Sequence, residues 1–180
     1  TANDGRRGPG VFEKVKHAMQ LLKDHNLPFG ISTCYTSANY KDITSEEFYD
    51  MIIEAGALFI WFFHYMPVGN APELMPNPEQ RKAVYERIRA FRSSKPIFSL
   101  DFQNDAEYIG GCIAGGRYYL HINAAGDVDP CVFIHYSNAN IHEVSLLDAL
   151  KSPIFQAYRK GQPFNDNMLR PCPMLENPEY

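Results

Sequence analysis

The nine residues from Ala57 to Tyr65, ALFIWFFHY, form an apolar run without alternation. A strand of that kind belongs inside a parallel sheet with both faces covered. Parallel strands in turn need long, usually helical, crossovers, and the flanking sequence has the pattern for them. Val11 to His25 places Val11, Val15, Ala18 and Leu22 on one helical face, and Leu27-Pro28 ends that helix. Phe29 to Thr36 then reads as a strand. Thr44-Ser-Glu-Glu47 has the form of a capping box for a helix whose apolar face is Phe48, Met51, Ile52 and Ala55, and Gly56 stops it. Asn77-Pro-Glu-Gln80 starts a third helix, with Val84, Ile88 and Phe91 facing inward, and Pro96 to Phe102 is a third strand. Helix and strand in strict alternation predict an α/β fold with parallel strands and right-handed crossovers.

After Phe102 this rhythm stops. Glycines and cysteines take over in Gly110–Phe133, GGCIAGGRYYLHINAAGDVDPCVF, so a boundary is expected near residues 103–109. Tyr118, Leu120 and Ile122 alternate with Tyr119, His121 and Asn123, the period of a half-buried strand. Ala124 to Asp127 supplies turn chemistry, and Val128 to Ile134 is expected to return as the second arm of a hairpin. Cys112 lies in a glycine-rich approach and Cys131 on the returning arm. Thiols at both ends, with bare backbone amides nearby, suit a bound metal or iron–sulfur cluster. Cys172, in Arg-Pro-Cys-Pro-Met, would be a third ligand. Two short helices begin at Ser145 and Ser152-Pro153. The Pro- and Asn-rich tail carries little apolar surface, so a metal-bound Cys172 is expected to pin it.

Composition bounds the function. An apolar fraction of 45% and an aromatic fraction of 13% over 180 residues describe a globular chain. A net charge of −4 excludes the basic excess that phosphate binding needs, so no nucleic-acid partner is expected. The longest apolar run, Ala55 to Phe63, is about half a membrane span, so no membrane partner is expected either. The first residues, Thr-Ala-Asn-Asp-Gly-Arg-Arg, carry no secretory pattern and no Met. They read as a cut end of a cytoplasmic protein. Four cysteines then read as ligands or buried thiols rather than disulfides. Cys34, inside a predicted strand, reads as a core thiol.

Several motifs carry a resemblance. Cys112, Gly126 and Cys131 fit C-x13-G-x4-C, and Asn138 to Phe155 follows as a helical segment. Pro67-Val-Gly69-Asn-Ala71 fits P-x-G-x-A after the hydrophobic strand. Asp4-Gly-Arg-Arg7-Gly8 with Gly10-Val-Phe-Glu-Lys-Val15, and Ile31-Ser-Thr-Cys-Tyr-Thr36 with Asn39, precede it in order. Together these resemble radical S-adenosylmethionine (radical SAM) enzymes with a SPASM or twitch extension. The family's C-x3-C-x2-C motif and first four barrel strands are absent, and so is the C-x2-C-x5-C-x3-C part of a full SPASM set.

The resemblance implies the C-terminal portion of a (β/α)6 partial TIM-type barrel over residues 1–105. A cysteine-containing hairpin-plus-helix module follows over 106–180. It implies an auxiliary [4Fe–4S] cluster on Cys112, Cys131 and Cys172. In the parent protein it implies reductive cleavage of S-adenosylmethionine to a 5′-deoxyadenosyl radical that modifies a peptide or small molecule. The isolated stretch is then expected to be inactive. Arg7 follows the D-x-x-R pattern whose guanidinium suits the S-adenosylmethionine carboxylate, with a solvated arginine as the alternative. Met66 joins it as a cofactor contact. His64 and Tyr65, ending the buried strand where α/β folds place ligands, are substrate candidates, and His64 is expected to point into the barrel mouth. Removing half a barrel would leave the 29–35 strand with an open edge, so self-association is expected. The competing reading is a non-catalytic peptide-binding module stapled by zinc or by its thiols, with His135 as a fourth zinc ligand.

Overall fold

Parallel pairing joins three strands, β1 (Gly30–Tyr35), β2 (Phe59–His64) and β3 (Phe98–Asp101), in the order β1-β2-β3. Gly30 lies beside Phe59, Tyr35 beside His64, and Phe59 beside Phe98. The computed structural model describes residues 2–177, which form two compact units that part after Phe102. No helix among the described residues is long and apolar enough to cross a membrane.

The first unit opens with a helix where the sequence suggested only a polar lead-in: α1 (Ala2–Arg7) precedes α2 (Val11–Asp24). The N-cap of α2 is Gly10, which has no side chain to offer an amide. Asp4 Oδ1 substitutes for it, accepting from Phe12 N at 2.9 Å. After β1 come α3 (Tyr40–Ile43) and α4 (Glu46–Glu54). The cap of α4 is one residue later than expected. Ser45 accepts from Phe48 N at 3.1 Å, while Thr44 is fully buried and donates to Tyr40 O at 2.6 Å. A 3₁₀ turn at Pro72–Leu74 leads to α5 (Pro78–Ser94), where Asn77 and Gln80 form a reciprocal capping box at 2.8 and 2.9 Å.

One face of the sheet is closed by α3, α4 and α5. Tyr35, Ile60 and Phe62 pack there against Tyr49, Ile52, Val84, Ile88 and Phe91. The expectation that the apolar run is covered on both faces is not met. Phe59 is 40% exposed, Trp61 37% and Phe98 65%. On that open face Trp61, Phe63 and Phe102 stack on one another at 5.0–5.9 Å. The physical reason is that helices of this unit cover one side only, and aromatic self-contact shields the other in part.

The second unit holds α6 (Ala106–Ile109), a hairpin of β4 (His121–Ile122) and β5 (Val128–Asp129), α7 (Leu146–Ala149), α8 (Pro153–Gly161) and α9 (Pro173–Glu176). The hairpin is far shorter than the expected pair of arms. Its ladder is His121 with Asp129 and Ile122 with Val128. Pro130 has no N–H to extend it, and Val128 N is drawn instead to Ala139 O at 2.9 Å. Cys131 therefore lies beyond the arm, in a turn closed by a bridge to Ile134. The hairpin turn is held by Asn123 Oδ1, which accepts from Ala125 N and Asp127 N at 2.9 and 3.1 Å. Gly126 is needed there. Its φ is +88°, and a Cβ would lie 2.7 Å from the His142 ring.

Two small cores fill this unit. Val128, Ala149 and Phe155 form one; Ala114, Ile134, Tyr158 and Phe164 form the other, with Cys112 and Cys131 packed against it.

Candidate metal centre

Cys112 is presented by a rigid loop. Arg117 donates to Cys112 O and Ile109 O, both at 2.7 Å, and fixes the backbone on either side of the glycine pair. Cys112 N donates to Gln162 Oε1 at 3.1 Å, and Ala114 N approaches Cys112 Sγ at 3.5 Å. The turn continues through Gly115, φ +68°, whose missing side chain matters. A Cβ there would lie 2.2 Å from Tyr158 Cβ. The Tyr158 side chain thus seats directly on glycine backbone.

Cys131 is presented in the same way, its sulfur accepting from the amides of Phe133 and Val132. Cys172 is the N-cap of α9. Its segment is pinned without any metal. Asn177 Nδ2 donates to Arg170 O and Cys172 O, both at 3.0 Å, and Asn165 Nδ2 donates to Asn177 Oδ1 at 2.8 Å. These side-chain bonds hold the tail alongside any ligand at Cys172.

The fold brings the three cysteines together, although 19 residues separate the first two (131 − 112) and 41 the last two (172 − 131). Burial pushes the Cys112 thiol up to about 12, the charges of Cys172 and Cys131 push the same way, and the Ala114 amide and Arg117 oppose them. Burial also raises Cys131, with Cys172 adding to it and the two amides opposing. All three are thiols outside any disulfide. Each thus lies within electrostatic reach of the others. Yet among the described residues no three His, Cys, Asp or Glu side chains gather tightly enough to hold one metal ion. Zinc bonded to sulfur at about 2.3 Å in a tetrahedron would need sulfurs about 3.8 Å apart. His135, the fourth ligand of the zinc reading, is exposed, and its charge acts on Asp129.

A polynuclear cluster fits these residues. Thiolates are its ligands, amides aimed at sulfur tune it, and the positive charge of iron would offset the burial that keeps the thiols protonated.

In the first unit the candidate residues lie on α1 and at the end of β2. Arg7 is exposed on α1; Met66 is half-buried just past β2. Tyr65, also half-buried, donates to Asn70 O at 2.9 Å within the Pro67–Ala71 turn. His64 does not point into a barrel mouth. It is buried on the helix-covered face beside Tyr35, ring centroids 6.1 Å apart. Burial lowers its pKa to about 3, and the charge of Arg81 acts the same way. The reason is the strand's period of two: His64 shares a face with Ile60 and Phe62. Cys34 is half-buried on β1.

Residues 112–174 match the SPASM family, an iron-sulfur cluster-binding domain. This stretch is similar to SPASM domains. The chain as a whole is similar to a longer curated protein and to longer solved structures. It is 26% identical over 170 aligned residues to the AdoMet-dependent heme synthase of Methanosarcina barkeri, covering 78% of this chain and 47% of that protein. Its fold is similar to Streptococcus suis SuiB bound to S-adenosylmethionine, with a TM-score of 0.63 and 17% identity over 89% of this chain and 43% of SuiB. It is also similar to anSMEcpe with bound AdoMet and the Cp18Cys peptide, at a TM-score of 0.58 and 17% identity, covering 83% and 46%. The chain spans about half the length of each of these relatives.

Tyr158 and Gln162 escaped the sequence reading. Their spacing of four on a helix that begins at Ser152-Pro153 was the available signal.

Proposed function

We propose that this chain is the C-terminal portion of a radical SAM enzyme: part of the S-adenosylmethionine and substrate barrel, followed by an auxiliary-cluster domain. Cys112, Cys131 and Cys172 would supply three ligands to an auxiliary [4Fe–4S] cluster. The observation that carries this reading is that Cys112 and Cys131 pack against one core with backbone amides aimed at their sulfurs, while the charge of Cys172 acts on both. Bound there, the cluster would supply an electron acceptor or a place to hold substrate.

The chain's own residues do the rest. Arg117 fixes the Cys112 loop, and the Ala114, Val132 and Phe133 amides offset negative charge on sulfur. The Asn177 network holds Cys172 in place. In the first unit the exposed Arg7 guanidinium would take the carboxylate of S-adenosylmethionine. Met66 and Tyr65, beyond the C-terminal end of β2, would line the cofactor and substrate side. His64 is set aside as a neutral core histidine.

A peptide is the favoured substrate class, since the anSMEcpe structure cited above holds one. Thiol ligands call for a reducing compartment such as the cytoplasm. Anaerobic reconstitution with iron and sulfide, followed by metal analysis, tests the reading. The wild-type chain should bind both, and Cys131→Ala should bind much less iron. A chain that takes up zinc and no sulfide would overturn the proposal.

A further inference from the structure

Two buried hydrogen-bond donors on residues that pack against or bond to Cys112 have no partner in the protein. Tyr158 is only 7% exposed, in one core with Cys112 and Cys131, yet its hydroxyl bonds to nothing. Its ring packs edge-on against Phe164 at 5.7 Å and needs no hydroxyl for that. Phenylalanine would fill the space as well. A buried hydroxyl without a partner costs about 1–3 kcal/mol, and buried tyrosines usually find one. Gln162, four residues on, is similar. Its Oε1 takes the Cys112 amide, while its Nε2 is buried and unpartnered. Both donors therefore sit at one end of α8, next to thiols that have acceptor capacity to spare.

Resting on the cluster reading above, we propose that Tyr158 Oη and Gln162 Nε2 donate hydrogen bonds to sulfur of the bound auxiliary cluster and raise its reduction potential. The phenol hydroxyl carries a proton that it can donate to sulfur. Reduction adds negative charge to the cluster, and donors to sulfur favour that state.

Y158F in the full chain tests this. After anaerobic reconstitution it should carry wild-type iron and sulfide but show a more negative midpoint. It should also lose an exchangeable proton coupling that wild type shows in hydrogen/deuterium exchange resonance spectra. In the metal-free protein the same variant should be as stable as wild type or more so, because it removes an unsatisfied hydroxyl. A purely structural role would not produce that pairing. Q162L should likewise shift the midpoint negative, and it carries the test if Y158F takes up no iron. Variants that load normally yet keep the wild-type midpoint and proton coupling overturn this inference alone. A wild-type chain that binds no iron and sulfide overturns the cluster reading, and this inference with it.

Discussion

The buried side chain of Asn177 donates to the carbonyl oxygen of Cys172 at 3.0 Å, tying the last turn of the chain to the residue that brings the third thiol. The same amide also reaches Arg170 O, and its oxygen takes a bond from Asn165. Asn177→Ala leaves these partners unsatisfied. It should cost about 1–3 kcal/mol in denaturant unfolding. Cys172 should also be alkylated faster in the metal-free variant than in wild type. Equal alkylation rates would show that the tail is held by something else.

His64 makes the first unit sensitive to acid. Its folded pKa of about 3 lies below the unfolded value of 6.5. The unfolded chain therefore binds more protons between those limits, and stability present above pH 6.5 is lost as pH falls toward 3. The loss is up to about 1.4 kcal/mol per pH unit. Unfolding midpoints measured at pH 7, 6 and 5 should fall, and His64→Leu should flatten the slope. An unchanged slope in that variant would assign the sensitivity to other groups.

Gly115 and Gly69 both have positive φ, yet they differ in surroundings. At Gly115 an alanine Cβ would collide with Tyr158, whereas at Gly69 nothing lies within 4 Å. Gly69→Ala should cost only the backbone term, about 1 kcal/mol. Gly115→Ala should cost clearly more and reduce iron uptake by displacing Tyr158. Thermal melts of the two variants side by side check this.

β1 pairs on one side only among the described residues, and the neighbouring face exposes Phe59, Trp61 and Phe98. Such an edge next to apolar surface recruits other chains. Static light scattering should show mass rising with concentration. Emission from Trp61, the one tryptophan in the sequence, should shift blue in parallel. Constant mass across a hundredfold dilution would count against association.

The sequence made the parallel order of β1, β2 and β3 legible, because capped amphipathic helices between apolar strands leave few other folds. It misjudged the second face of β2. A continuous apolar run says that both sides avoid water, but Trp61, Phe63 and Phe102 meet part of that need by stacking on one another. His64 was misplaced for a related reason: a residue at a strand end is assigned to a face by register, which no composition reveals. The C-x13-G-x4-C spacing of Cys112, Gly126 and Cys131 is legible in the sequence, and Gly126 is the turn glycine it implies. The hairpin is shorter than its alternation predicts because Pro130 cannot donate to the ladder. Asn177 and Gln162 act through side-chain bonds to distant backbone, and nothing in the local pattern announces such bonds.

The cysteine centre also carries an order of assembly. Bringing Cys112 to Cys131 closes a loop of 19 residues, whereas bringing Cys172 to Cys112 closes one of 60 (172 − 112). By chain statistics the longer closure costs about 1 kcal/mol more. On a ribosome the first two thiols can meet well before the third has been synthesised. The three-thiol arrangement can therefore exist only once the C-terminal segment has emerged and docked. Its completion is a molecular record that the polypeptide has been read through to Asn177.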